Sequence, residues 1–167
     1  MGGESARAAC YNAAEKRART PLKTGSETMG DKVEITVASD TRWLALIRRV
    51  IDEFCQQAGL DARERHAVTL AVGEAAANVM KHSYRGDDSK ELTLACRTAG
   101  DGIEIEIRDE GEPYDPDARP LPPPDELRAG GRGVYLMRAM MDSVEYRRDG
   151  ATNSVLLRKM LKTPVKN

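Results

Sequence analysis

Three short stretches of this 167-residue sequence carry side chains able to do chemistry. In LAVGEAAANVMKHSY, residues 70–84, Glu74 and Asn78 stand four apart, which on a helix sets one above the other. An unpaired carboxylate on a helix built for burial is costly, so something must compensate for it. Two readings stay open at this point. Glu74 either bonds a nearby backbone amide or reaches solvent at an edge, or the pair serves a hard cation. In the second case the Asn78 oxygen is the ligand and Glu74 a base, because oxygen ligands and retained water are what Mg2+ prefers.

The second stretch, RDEGEPYDP, ends an alternating segment with Asp109 and places Gly111 two residues later. A carboxylate at a strand's end in a cleft can accept from an exocyclic amine such as that of adenine, and a glycine lets backbone approach a flat ligand. The same pattern also makes an ordinary turn. The third stretch, AGGRGVYLMRAMMDSVEY, sets Gly130, Gly131 and Gly133 directly before a helical period, where free N–H groups and a helix dipole can meet phosphates. A flexible loop end reads the same way. No G-x-x-x-x-G-K-[ST] loop and no protein-kinase signature occurs.

The elements that must position these residues follow from periodicity. KVEITVAS alternates as a half-buried strand does. Asp40 is placed to cap a helix with Trp43, Leu44, Ile47, Val50, Ile51 and Phe54 on one stripe, closed by Gly59. DARE, residues 61–64, has the form of a capping box and starts the helix of Glu74. On that helix Ala67, Ala71, Ala75, Val79 and Val68, Val72, Ala76, Met80 form small or apolar columns, while His66, Leu70, Glu74, Asn78 and His82 form the polar one. ELTLACR and GIEIEIRDEG read as a hairpin. The passage from Glu112 to Gly133 holds six of the eight prolines, so it reads as a lid or binding loop rather than as helix or strand. A helix, a strand and turn, and a last strand TNSVLLRKML follow.

In order and spacing, E-x-x-x-N on a helix, D-x-G-x-x-[aromatic]-D-P after a strand, and a long loop ending G-G-x-G before a helix resemble the GHKL (Bergerat-fold) ATP-binding superfamily. Within it the similarity is greatest to anti-sigma-factor serine kinases of the RsbW type, over about Val33 to Leu161. The resemblance implies an α+β fold, a two-layer α/β sandwich with a mixed, mostly antiparallel sheet covered on one face by helices. It implies ATP and Mg2+ as cofactors, with Glu74 orienting or deprotonating the attacking hydroxyl and Asn78 coordinating the metal. It also implies that Asp109 bonds the adenine amino group, that Gly111 lets the base lie flat, and that Gly131 and Gly133 line the phosphates. Arg132 is a candidate phosphate contact, and GATNS approximates a final glycine-threonine box through Thr152. Ser83 and Tyr114 depart from the residues common at their positions. The partners implied are a STAS-domain anti-sigma-factor antagonist, a sigma factor and a second copy of the chain as homodimer. A nucleotide-gated binding module without significant kinase activity is the competing implication.

Composition bounds the rest. Lys plus Arg, 26, nearly cancels Asp plus Glu, 27, so no global field advertises direct nucleic-acid or membrane binding. Between Asp109 and Glu126 seven acidic residues stand against one arginine, an acidity that favours metal dependence in a nucleotide site. Three dispersed cysteines and two histidines argue against structural zinc and for reduced thiols in a cytoplasmic protein. The expected organisation is a disordered or tag-like tail over 1–30, an ATPase domain over 31–162 with its lid at about 112–131, and a polar tail over 163–167.

Overall fold

The structure, a computed structural model, describes residues 31–113 and 132–161. The expected N-terminal tail, the lid from Tyr114 to Gly131 and the polar C-terminal tail lie outside the described residues.

Alternating apolar residues produce five strands. They are β1 (Lys32–Ala38), β2 (Glu91–Ala99), β3 (Gly102–Asp109), β4 (Ser143–Asp149) and β5 (Thr152–Met160). They form one sheet in the order β1-β2-β3-β5-β4, and every pairing is antiparallel. The β2–β3 and β4–β5 hairpins each turn at a glycine with positive φ, Gly100 at 61° and Gly150 at 58°. Period-two alternation splits the sheet into two faces. Leu92, Leu94, Cys96, Ile103, Ile105, Ile107, Val155 and Leu157 are buried on one of them. The other carries cross-strand ion pairs, among them Arg108 with Glu34 and Arg158 with both Glu104 and Glu145.

The helices are α1 (Leu44–Gln57), α2 (Ala62–Asn78) and α3 (Arg132–Met140). Asp40 caps a short 3-10 turn, Thr41–Trp43, that leads into α1, accepting from the Arg42 amide at 2.9 Å. Gly59, at φ 89°, lets the chain reverse after α1. The capping box opens α2 as its sequence requires: the Glu64 amide donates to Asp61 at 2.8 Å, and the Asp61 amide donates to Glu64 at 3.3 Å. α2 packs against α1 on one side and α3 on the other, above β3 and β5. Its small columns make that possible, since Ala71, Val72, Ala75 and Ala76 are all buried in the central core. Among the described residues no helix is long and apolar enough to cross a membrane.

Candidate functional site

Glu74 and Asn78 emerge from the last two turns of α2, both half-buried. Asn78 Nδ2 is buried without a hydrogen-bond partner, an orphaned donor of the kind that marks a place for a ligand or water. Directly after Asn78 the backbone widens into a π turn, Val79–Ser83, in which the Tyr84 amide reaches back five residues to the Val79 carbonyl at 3.0 Å. One additional residue in the turn sets the following side chains back by about 100° relative to a regular helix. The polar column therefore does not run on to His82. His82 and Lys81 are exposed, and Ser83 is buried, lining the same cleft as Asn78.

Across that cleft stands Asp109, the last residue of β3 and 6% exposed. Its Oδ1 accepts from the Gly111 amide at 2.9 Å, closing an Asx turn, from Asn153 Nδ2 at 2.9 Å, and from the Ser83 hydroxyl. Asn153 arrives through the β3–β5 register, which pairs it with Asp109. Tyr84 braces the same corner. Its hydroxyl donates to the Glu91 carbonyl at 2.5 Å and accepts from the Glu110 amide at 2.9 Å. Burial raises the Tyr84 pKa, the hydrogen bond from Glu110 opposes that shift, and the nearby carboxylates of Asp109 and Glu110 add to it. The cleft has Ala75, Val79 and Val155 as its apolar floor and Asn78, Ser83, Asp109 and Asn153 as its polar rim. An apolar slot with a few convergent polar groups suits a planar heterocycle.

The glycine segment closes the other end. Gly133 is the second residue of α3, and a Cβ built there would lie 2.9 Å from Glu74 Oε2 and within 3.7 Å of both terminal atoms of Asn78. The first turn of α3, the positive end of its dipole, is thus seated on the carboxylate–amide pair. A divalent cation fits the donor set. Asn78 offers an amide oxygen and Glu74 a carboxylate beside it, while among the described residues no three His, Cys, Asp or Glu side chains gather into a metal cage. Mg2+ is commonly held this way, by one or two protein oxygens with phosphate oxygens and water completing the shell.

The structure brings Glu74, Asn78 and Gly133 together at one end and Asp109 with Gly111 at the other. Gly131 and the side chain of Arg132 lie outside the described residues. Thr152 lies on the opposite pleat from Asn153 and lines a second cleft with Thr36, Thr93, Arg108 and Asp109, while Asn153 lines the cleft of Asn78 and Ser83. At Gly111 the position of a Cβ is filled by Ser83, whose carbonyl oxygen would be 2.4 Å away, so glycine there allows the loop to pack on the end of α2. Sequence reasoning missed Ser83 and Asn153 as site residues. The departure at Ser83 was a signal, but its orientation depends on the π turn. Nothing local marks Asn153, because its partner Asp109 lies on a strand that is not its neighbour in sequence.

Comparisons with known proteins place the fold. Residues 37–159 match the model of the histidine kinase-like ATPase domain. The serine-protein kinase RsbW of Bacillus subtilis is 30% identical over 122 residues, covering 68% of this chain and 76% of that protein. The protein of the same name from Halalkalibacterium halodurans is 26% identical over 145 residues, covering 82% and 88%. A crystal structure of RsbU and RsbW domains from Mycobacterium tuberculosis superposes with a TM-score of 0.59 at 17% identity, over 80% of this chain and 33% of that one, a likeness of fold.

Proposed function

The chain belongs to the histidine kinase-like ATPase domain family, and on that premise we propose that it is an ATP-binding anti-sigma factor and serine-protein kinase. Its substrate in this reading is a serine of a small STAS-domain antagonist, and its alternative partner a sigma factor, with the chain acting as a cytoplasmic homodimer. The observation that carries the proposal is the contact of Gly133 with Glu74 and Asn78. It seats the start of a helix, where phosphate oxygens meet free N–H groups, on a carboxylate and an amide one helical turn apart.

Each residue then has a task. Asp109, held by three donors on Oδ1, accepts the amino group of the base with Oδ2. Ala75, Val79 and Val155 exclude water from the ring faces. The N–H groups at the start of α3 would meet the phosphates, and Asn78 would hold the cation through its amide oxygen. Mg2+ bound there would supply the charge neutralisation that phosphoryl transfer demands. Glu74 accepts the proton of the attacking serine hydroxyl or orients that hydroxyl for in-line attack.

The test is transfer of label from γ-labelled ATP to candidate STAS-domain proteins in the presence of Mg2+. Phosphoserine should appear with the wild type and be lost with Glu74→Gln, while Asn78→Ala should lose transfer together with the Mg2+ dependence of nucleotide binding. Transfer indifferent to Glu74→Gln would remove the carboxylate from the mechanism. Tight ATP binding and partner release without any phosphoprotein would point instead to a nucleotide-gated binding module.

A further inference from the structure

The two oxygens of Asp109 are used very unequally. Among the described residues Oδ1 takes three hydrogen bonds, from Ser83, Asn153 and the Gly111 amide, and Oδ2 takes none, which leaves it for whatever enters the cleft. The Asn153 amide cannot turn around freely, because Arg148 Nη1 donates to its oxygen at 2.6 Å. Its nitrogen must therefore face Asp109, where it also lies 3.2 Å from the Gly111 carbonyl and 3.3 Å from that of Glu112. Ser83 has a single proton to give, and a carboxylate is a stronger acceptor than the Glu112 carbonyl 3.1 Å away. The hydroxyl reaches that position only because the π turn rotates it into the cleft.

A carboxylate discriminates between a 6-amino and a 6-oxo purine by attracting the first and repelling the second. Repulsion is effective only while the carboxylate cannot swing away. We infer that Arg148, Asn153 and Ser83 form a positioning relay that sets the base selectivity of this cleft, by immobilising Oδ1 of Asp109 so that Oδ2 meets the purine 6-position at fixed geometry. This rests on the nucleotide reading of the cleft and adds to it three residues that need not touch the ligand. Asp109 is the recognising group, and the relay decides how sharply it recognises.

The experiment compares binding of Mg·ATP and Mg·ITP to the full chain by calorimetry, with thermal unfolding as a control for folding. The two nucleotides differ at the purine 6-position, amino against oxo. For Ser83→Ala and Asn153→Ala, ATP affinity should fall roughly tenfold while ITP affinity holds or rises, so the ratio collapses. Arg148→Met, which only frees the Asn153 amide to turn, should lower the ratio by about threefold. A wild type that prefers ATP, with variants that keep its ratio or lose both nucleotides alike, overturns the relay, as does a wild type that binds the two equally. A wild type that binds neither nucleotide overturns the nucleotide reading itself, a distinguishable failure.

Discussion

Replacing Asp109 with asparagine changes one atom and one charge, and the structure fixes which way the new amide must face. Three donors converge on Oδ1: the Ser83 hydroxyl, Asn153 Nδ2 and the Gly111 amide. Turning the new NH2 toward them would create two donor–donor contacts, with Asn153 Nδ2 and the Gly111 amide, each costing on the order of 1 to 3 kcal/mol as an unsatisfied buried group, although the Ser83 hydroxyl could turn to donate to the Glu112 carbonyl. The oxygen of the introduced amide therefore keeps the Oδ1 position and its nitrogen takes that of Oδ2, where it opposes the amino group of adenine. The bond lost is charge-assisted, worth about 1.5 to 3 kcal/mol, so ATP affinity should fall about 10- to 150-fold. The same NH2 can donate to a 6-oxo group, so ITP should bind the variant better than ATP does. Titration calorimetry with both nucleotides in excess Mg2+ measures this directly. Unchanged ATP affinity in Asp109→Asn would refute both the placement of the base and the inequality of the two oxygens.

Two glycines make contrasting predictions. At Gly111 a Cβ would meet the Ser83 backbone at 2.4 Å, which neither side can yield cheaply, so Gly111→Ala should destabilise the protein by roughly 1 to 3 kcal/mol, read as a lowered denaturation midpoint. At Gly133 the Cβ would meet the tip of Glu74, which can move, so Gly133→Ala should leave that midpoint nearly unchanged while slowing phosphoryl transfer. Burial tends to raise the Glu104 pKa, but the hydrogen bonds and charges of Arg97 and Arg158 prevail and lower it from 4.5. A carboxyl depressed in the folded state contributes stability above its unfolded value and loses it as pH falls through the folded one. The wild type should thus exceed Glu104→Gln by on the order of 1 kcal/mol at pH 6, with both arginines partly solvated, and the gap should close below pH 4.5 in urea titrations. A gap constant from pH 6 to pH 3 would remove the ion pairs as its cause. Burial pushes the thiols of Cys55 and Cys96 up to about 12, so neither should be alkylated by iodoacetamide at pH 8 until the protein unfolds, as peptide mass mapping would reveal.

Much of this molecule is written locally in its sequence. The capping box at Asp61 and Glu64, the reversals at Gly59, Gly100 and Gly150, and the alternation that buries Ile103, Ile105 and Ile107 depend on neighbours a few residues away. The placing of Glu74 above Asn78 follows from helical period alone, so those residues were legible in the chain itself. What only the tertiary structure decided sits where that period fails or where distant strands meet. A single π turn substitutes Ser83 for His82 at the cleft, because one residue of insertion rotates everything after it. A one-residue difference in strand position sends Thr152 to the other face and brings Asn153 to Asp109, because side chains alternate across a sheet and the β3–β5 register is set by packing, not by adjacency in the chain. The sequence named the carboxylate and the amide, and the fold supplied the hydroxyl and the second amide that hold Asp109 in place.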